Sequence, residues 1–151
     1  MEETEENSPN LRAEKIALRL IARAEQSVGG LTRKLEKRGF ESACVSEVIS
    51  KLTELKLLDD NRFARLWLES RRRLPRSPRR LLSSLCAKGI DHNDAEKALK
   101  DVLDEETELT LLARFAKKYS RKAKGDPRSL KYLLKNEGFS STAIKRFFGE
   151  E

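Results

Sequence analysis

The densest chemistry in the sequence is the run Arg71-Arg72-Arg73-Leu74-Pro75-Arg76-Ser77-Pro78-Arg79-Arg80. Six arginines in these ten residues repel one another. Crowding them at a helix end and the connection after it costs stability unless a polyanion or an acidic surface relieves the repulsion. The guanidinium fork suits bidentate contact with phosphate or carboxylate, so the chemistry on offer is anion binding rather than bond making. Arg62 and Arg65 precede the run, and Lys117, Lys118, Arg121, Lys122, Lys124 and Arg128 form a second basic stretch. These residues are the candidates for contact with a nucleic-acid backbone or an acidic protein surface. The competing reading of any one of them is a solvated face whose neighbouring acids simply neutralise it.

Catalytic and metal-binding patterns are missing from the sequence. His92, the only histidine, stands in Asp91-His92-Asn93-Asp94 without a cysteine or acidic pair at ligand spacing, and reads as a solvated neighbour of a helix cap. Cys44 and Cys86 are isolated and read as small core residues. Gly29-Gly30 lacks the strand that precedes a phosphate loop, and there is no nucleophile elbow and no HExxH. The carboxylates of Asp59-Asp60 and Asp104-Glu105-Glu106 fall where helices should start, and there they complement the dipole. The expectation is a protein that is not an enzyme, with no catalytic residues, no cofactor and no metal.

The elements that must hold these arginines repeat. Leu31, Leu35, Gly39 and Phe40 recur as Leu81, Leu85, Gly89 and Ile90, and again as Leu130, Leu134, Gly138 and Phe139, at spacings of 50 and then 49 residues. A leucine pair at i and i+4 lies on one helix face, and the glycine ends the helix by taking the left-handed conformation. Ser27, Ser77 and Asp126 stand four residues before the first leucine as N-caps, with Pro78 and Pro127 at the first helical position. Val28-Gly29-Gly30 replaces the proline start in the first copy, which predicts a looser onset there. After the glycine, Val45, Val48, Ile49 and Leu52 match Ala95, Ala98, Leu99 and Val102, and Ile144, Phe147 and Phe148 begin the same series before the sequence stops. Longer apolar-periodic stretches precede each frame: Ile16 to Ala24, Phe63 to Leu68 and Leu109 to Tyr119. Each unit is therefore three helices. The expected class is all-α, about nine helices in three tandem three-helix repeats forming an elongated, curved solenoid-like module. The expected boundaries are a flexible acidic tail over 1–10 and repeats over 11–58, 59–104 and 105–151.

Charge follows the repeat. The stretch 62–89 carries net +8, 91–108 net −6, and 111–135 net +8, while 11–38 holds eight bases and three acids. If equivalent helices share one side, a basic stripe results, a shape suited to a phosphate backbone. The overall charge of +7 and pI near 9.5 agree with acidic or polyanionic partners. No short helix combines Asn, Gln and Arg as a base-reading helix does, and Phe63, Trp67, Phe115 and Tyr119 fall at core spacing among leucines. The start Met1-Glu2-Glu3-Thr4-Glu5-Glu6 is acidic rather than basic then apolar, and no apolar run approaches membrane-spanning length, so a soluble cytoplasmic protein is expected.

From about Ala13 to Phe148 the chain resembles the RecX family. The match is carried by Ala17-Leu18-Arg19-Leu20-Ile21-Ala22-Arg23 before Leu31-Thr32-Arg33-Lys34-Leu35, by Leu58-Asp59-Asp60-Asn61-Arg62-Phe63-Ala64, and by Pro78-Arg79-Arg80-Leu81 with Leu85 and Lys88-Gly89-Ile90. Relatives often place a Gly-x-Gly-Pro type turn where this chain has Leu74-Pro75-Arg76-Ser77-Pro78. The resemblance implies a monomeric regulator of RecA in DNA repair, recombination and the SOS response. Such a protein binds the RecA filament on single-stranded DNA and limits its extension, ATP hydrolysis, strand exchange and coprotease activity. Single-stranded DNA, and double-stranded DNA as a further partner, would meet the basic stripe, with no membrane involved. Two other readings stay open at this point: a non-specific DNA-binding helical protein acting without RecA, and a helical protein-binding adaptor.

Overall fold

The computed structural model describes residues 8–71, 75–122 and 125–150, and among them are nine helices and no strand. They are α1 (Pro9–Arg23), α2 (Val28–Lys37), α3 (Ser42–Glu54), α4 (Asp60–Arg71), α5 (Pro78–Ala87), α6 (His92–Val102), α7 (Glu105–Tyr119), α8 (Pro127–Asn136) and α9 (Ser141–Phe147). The fold is all-α and built on a three-helix repeat, as the periodicity predicts. The middle helices α2, α5 and α8 are each 10 residues long. Each is followed by its frame glycine in the left-handed region, Gly39 at φ 94°, Gly89 at 91° and Gly138 at 92°.

Two of these turns close with the paired bonds of a Schellman motif. Phe40 N donates to Leu35 O at 3.4 Å and Gly39 N to Glu36 O at 2.9 Å; Phe139 N donates to Leu134 O and Gly138 N to Lys135 O, each at 3.1 Å. The turn throws the next apolar residue back over the leucine face, so Phe139 and Ile90 are buried and Phe40 half-buried. Leu31, Leu35, Leu81, Leu85 and Leu134 are fully enclosed, while Leu130 keeps part of its surface.

The chain separates into two compact units, one running to Phe63 and including Lys88–Ile90, the other comprising Ala64–Ala87 and the chain from Asp91 onward. In the first, α1 packs on α2 and α3, and α2 on α3. Its core is Ala13, Ala17, Leu31, Leu35, Val45, Val48, Leu52 and Leu58, with Cys44 at the edge. The alanines on α1 let the helices approach closely. In the second, α5 packs on α6, α7 on α8 and α9, and α8 on α9. Leu111, Leu112, Phe115, Ala116, Leu134, Phe139, Ala143 and Ile144 fill that interior, and the Phe115 ring stacks on Tyr119 with centroids 4.4 Å apart.

The helix starts also serve as docking points. Ser27 Oγ accepts from Gly30 N at 2.9 Å, as an N-cap should, and donates to Lys88 O at 2.6 Å within the first unit. Ser77 Oγ accepts from Arg80 N at 3.3 Å and donates to Glu137 Oε2 at 2.7 Å, while Arg79 N donates to Glu137 O at 3.0 Å, all within the second unit. A glycine turn therefore sits on a capped helix start in both units. The two serines are buried, whereas Asp126, which caps α8 by accepting from Arg128 N at 3.1 Å, is exposed. A hydroxyl tolerates burial once both its bonds are made, and a carboxylate does so only at high desolvation cost.

Two expectations change. The onset of α2 is not loose: Val28 N donates to Asp60 Oδ1 at 2.8 Å, and Gly29 lies so close to the Gly89 turn that a Cβ on it would meet Gly89 Cα at 2.8 Å. Glycine stands there because two backbones touch, not because the helix frays. Pro9 and Asn10, read as tail, form the first turn of α1, because Ser8 Oγ accepts from Leu11 N at 3.2 Å and Pro9 takes the first helical position.

Gly39 and Gly89 share one conformation but differ in surroundings. A Cβ on Gly39 would meet nothing within 4 Å, and one on Gly89 would lie 2.7 Å from Gly29 Cα. Gly39→Ala should cost about 1 kcal/mol for the left-handed backbone alone. Gly89→Ala should cost a further 1–3 kcal/mol, roughly, for the clash. Urea-denaturation midpoints of the two variants measure the difference, and equal losses would refute the packing account.

Candidate polyanion-binding groove

Arg76, Arg80 and Lys118 come together in the second unit around a surface groove of about 530 Å³, completed by Pro75, Ser83 and Ser84. Arg80, Ser83 and Ser84 share one face of α5 at the i, i+3, i+4 spacing, and Lys118 comes from the last turn of α7. Among the described residues no carboxylate lies within ion-pair distance of Arg76, Arg80 or Lys118. Three acids of this unit are engaged elsewhere. Asp104 caps α7 by accepting from Thr107 N at 2.7 Å, Glu108 accepts from Ser140 N at 2.7 Å, and Glu105 pairs with Arg146 at 3.4 Å.

Lys117 and Lys118 are favourably placed in the last turn of α7. Arg79 and Arg80 are not: they stand in the first turn of α5, which has no acid of its own and whose positive dipole end meets one carboxylate, that of Glu137 on Ser77. An anion in the groove would relieve the repulsion among the cations and the unfavourable dipole together. Two serine hydroxyls beside three cations make a site for phosphate or carboxylate oxygens.

The other sequence candidates are dispersed. Arg62, at the start of α4 in the first unit, has its fork occupied: Nε donates to Glu25 Oε1 at 3.1 Å and Nη2 to Glu25 Oε2 at 3.4 Å, with further bonds to the Lys56 and Leu57 carbonyls. Arg71 is half-buried at the end of α4, with its guanidinium carbon 5.6 Å from the Trp67 ring centroid and its Nε without an acceptor among the described residues. Arg65, Lys117, Arg121 and Arg128 are exposed, and Lys122 lies 5.4 Å from the Tyr119 ring centre. Arg79, also exposed, turns toward a second, mostly apolar groove of about 460 Å³ with Pro78, Leu82, Leu99 and Leu103. Arg72, Arg73 and Lys124 lie outside the described residues. Sequence reasoning missed Ser83 and Ser84, whose signal was only their helical spacing from Arg80.

It also missed a string of side chains around His92. This residue follows the cap Asp91 as the first of α6; its Nε2 lies 3.1 Å from Glu96 Oε1, and its Nδ1 3.9 Å from Cys86 Sγ. Cys86 is half-buried, not enclosed as expected. The imidazole is 62% and the Glu96 side chain 48% exposed, so water screens the pair. Neither Cys86 nor His92 lines any of the grooves described above. Among the described residues no three His, Cys, Asp or Glu side chains gather as a metal-ligand set, and no helix is long and apolar enough to cross a membrane.

Comparison with known proteins places this architecture. Residues 13–52 match the family model described as the RecX first three-helix domain, and residues 59–99 the RecX second three-helix domain. The chain is 41% identical over 140 residues to the regulatory protein RecX of Treponema pallidum (strain Nichols), covering 92% of this chain and 85% of that one. To the regulatory protein RecX of Chlorobaculum tepidum it is 33% identical over 142 residues, covering 89% and 88%. The crystal structure of RecX from Lactobacillus salivarius superposes with a TM-score of 0.73 at 26% identity, over 93% of this chain and 95% of that one. A further crystal structure of regulatory protein RecX gives a TM-score of 0.78 at 21% identity, a likeness of fold.

The two thiols should separate chemically. Burial pushes the Cys44 thiol above its ordinary pKa, with Glu47 and Glu41 adding to the shift and Arg12 opposing it, so Cys44 stays protonated where a free thiol begins to ionise. Thiol labelling of the native protein at pH 8, followed by peptide mapping, should mark Cys86 well before Cys44, with Cys44 gaining only as pH rises further. Equal rates would contradict the burial of Cys44.

Proposed function

The chain belongs to the RecX family of regulatory proteins, and from that membership we propose that it regulates the RecA recombinase by binding the RecA filament on single-stranded DNA. It limits the filament's extension, ATP hydrolysis, strand exchange and coprotease activity and performs no reaction itself. It acts in the cytoplasm, where the filament forms, as a monomer of three three-helix repeats, the first opening with α1 at Pro9 and the others running over 59–104 and 105–151.

The observation that carries the reading is the groove of Arg76, Arg80 and Lys118, three cations without a carboxylate partner among the described residues. Phosphate oxygens of the DNA strand occupy it, with Ser83 and Ser84 as hydroxyl donors. Binding of this kind is independent of base sequence, as a regulator of filaments on any strand requires. A protein held across filament subunits blocks the addition of further subunits and the motions between them that accompany nucleotide hydrolysis. Inhibition well below one regulator per recombinase follows from that geometry. The remaining readings, a DNA-binding protein independent of RecA and a protein-binding adaptor, predict different outcomes in one assay.

ATP hydrolysis by preformed RecA filaments on single-stranded DNA should fall on addition of the protein at substoichiometric ratios. The Arg76→Glu, Arg80→Glu, Lys118→Glu triple variant should need at least about tenfold more protein for the same effect, since each lost charged contact is worth about 1 kcal/mol or more. The slope of log affinity for single-stranded DNA against log salt should shrink by about 2 for three lost phosphate contacts. Tight DNA binding without any effect on hydrolysis would leave a plain DNA-binding protein. Inhibition that the triple variant retains in full would favour an adaptor that contacts RecA alone.

A further inference from the structure

The second unit carries a second feature suited to a nucleic acid, on α8. This helix holds Arg128, Lys131 and Lys135 and no acid. Its inward side is Leu134, with Leu130 and Leu133 half-buried, and its outward side presents Arg128, Ser129, Tyr132, Lys135 and Asn136. Tyr132 is 71% exposed, more than any other large apolar side chain of the described residues.

The other aromatic rings of this unit are engaged. Phe115 stacks on Tyr119 and tilts against Phe139, Lys118 and Lys122 lie over Tyr119, Phe147 meets Phe148 edge to face, and Trp67 has Arg71 over it. Among the described residues Tyr132 has no ring, cation or hydrogen-bond partner. Arg128 lies four residues before it and Asn136 four after, so all three share one face of the helix. Lys131, on the neighbouring flank, is held by Glu150 and by the Phe148 ring. The cations open to a ligand on this face are therefore Arg128 and Lys135.

An exposed ring framed by cations, on a helix whose acids are confined to the caps Asp126 and Glu137, matches one ligand chemistry, a polyanion that also carries flat aromatic groups. A peptide of acidic residues would use the cations and leave the ring idle. A duplex would offer phosphates while keeping its bases stacked inside. Unpaired nucleotides use both features, because every base has a face to stack and every linkage a charge. We propose that the outward face of α8 is a stacking platform for single-stranded nucleic acid, with Tyr132 against one unpaired base and Arg128 and Lys135 on the flanking phosphates. This rests on the reading of the protein as a ligand of filament DNA, and it adds a contact to the base itself, which the groove beside α5 does not make. Because stacking tolerates any base, the platform distinguishes unpaired from paired strands rather than one sequence from another.

The test compares a fluorescein-labelled oligo(dT) with an abasic strand of the same length, each titrated with the intact protein at fixed salt. Tyr132→Ala should weaken oligo(dT) binding by about 5- to 100-fold while leaving the abasic strand unaffected, and Tyr132→Phe should bind like the parent. Arg128→Ala should weaken both strands alike. The exposure of Tyr132 means that Tyr132→Ala should unfold at the same temperature as the parent. Equal weakening of both strands by Tyr132→Ala, or unchanged oligo(dT) binding, would overturn the platform, and in the second case inhibition of RecA hydrolysis by the parent would leave the regulatory reading standing. Failure of the parent protein to bind either strand would overturn the platform, whereas loss of the regulatory reading would show separately as unaltered RecA hydrolysis.

Discussion

A glycine held at positive φ, with the start of another helix seated against it, is the constraint on which the rest of the structure depends. The left-handed conformation disfavours any residue with a Cβ, and it sends the chain back over its own leucine pair. The same turn then presents backbone carbonyls to a capped helix start. Lys88 O receives the Ser27 hydroxyl and Glu137 O receives Arg79 N. Because Gly29 and Gly89 meet backbone to backbone, two positions must lack side chains at once. The burial of Ile90 and Phe139 follows from the turn, and the burial of Ser27 and Ser77 from the docking, so core and polar contacts depend on the same few residues.

The docking also bears on charge. A helix start normally attracts acids, and α7 follows that rule with Glu105, Glu106 and Glu108 in its first turn. The start of α5 has no acid in its own first turn, and the carboxylate at its cap comes from Glu137. Its cap is a buried serine, its first position a proline and its next two residues arginines. With the Glu137 side chain bound to Ser77, the charge of Arg79 and Arg80 is left to solvent or to a ligand. Two arginines in a first turn thus depart from the ordinary electrostatic rule for helices, and the single Glu137 carboxylate at the cap offsets them only in part. A departure of this kind is tolerated where function offsets its cost.

The regulatory role proposed above has no use for base-reading geometry. The groove beside α5 and the face of α8 differ in kind: one gathers cations and hydroxyls, and the other sets a bare ring among cations. Both lie in the second unit. The Cys86–His92–Glu96 string has no comparable setting, since the His92–Glu96 pair lies open to water and neither Cys86 nor His92 lines a groove.

Much of this was written locally in the chain. The leucine pairs, the frame glycines and the Ser27, Ser77 and Asp126 caps specify helix ends, because those signals act within a few residues and depend on backbone sterics and orphan hydrogen bonds. All three middle helices accordingly begin and end where the pattern placed them. The charge blocks were legible too, but not their use. Arg62 and Arg80 look alike in sequence, yet one closes on Glu25 and the other faces a groove, and only contacts between residues far apart in the chain separate them. Gly29 read as a weak helix start, whereas in the fold it is a close-contact point, since its meaning depends on a turn sixty residues away. Tyr132 carried no signal at all. Whether a tyrosine on a helix packs or stands exposed is decided by which face the neighbouring helices cover, and that is settled only when the helices pack.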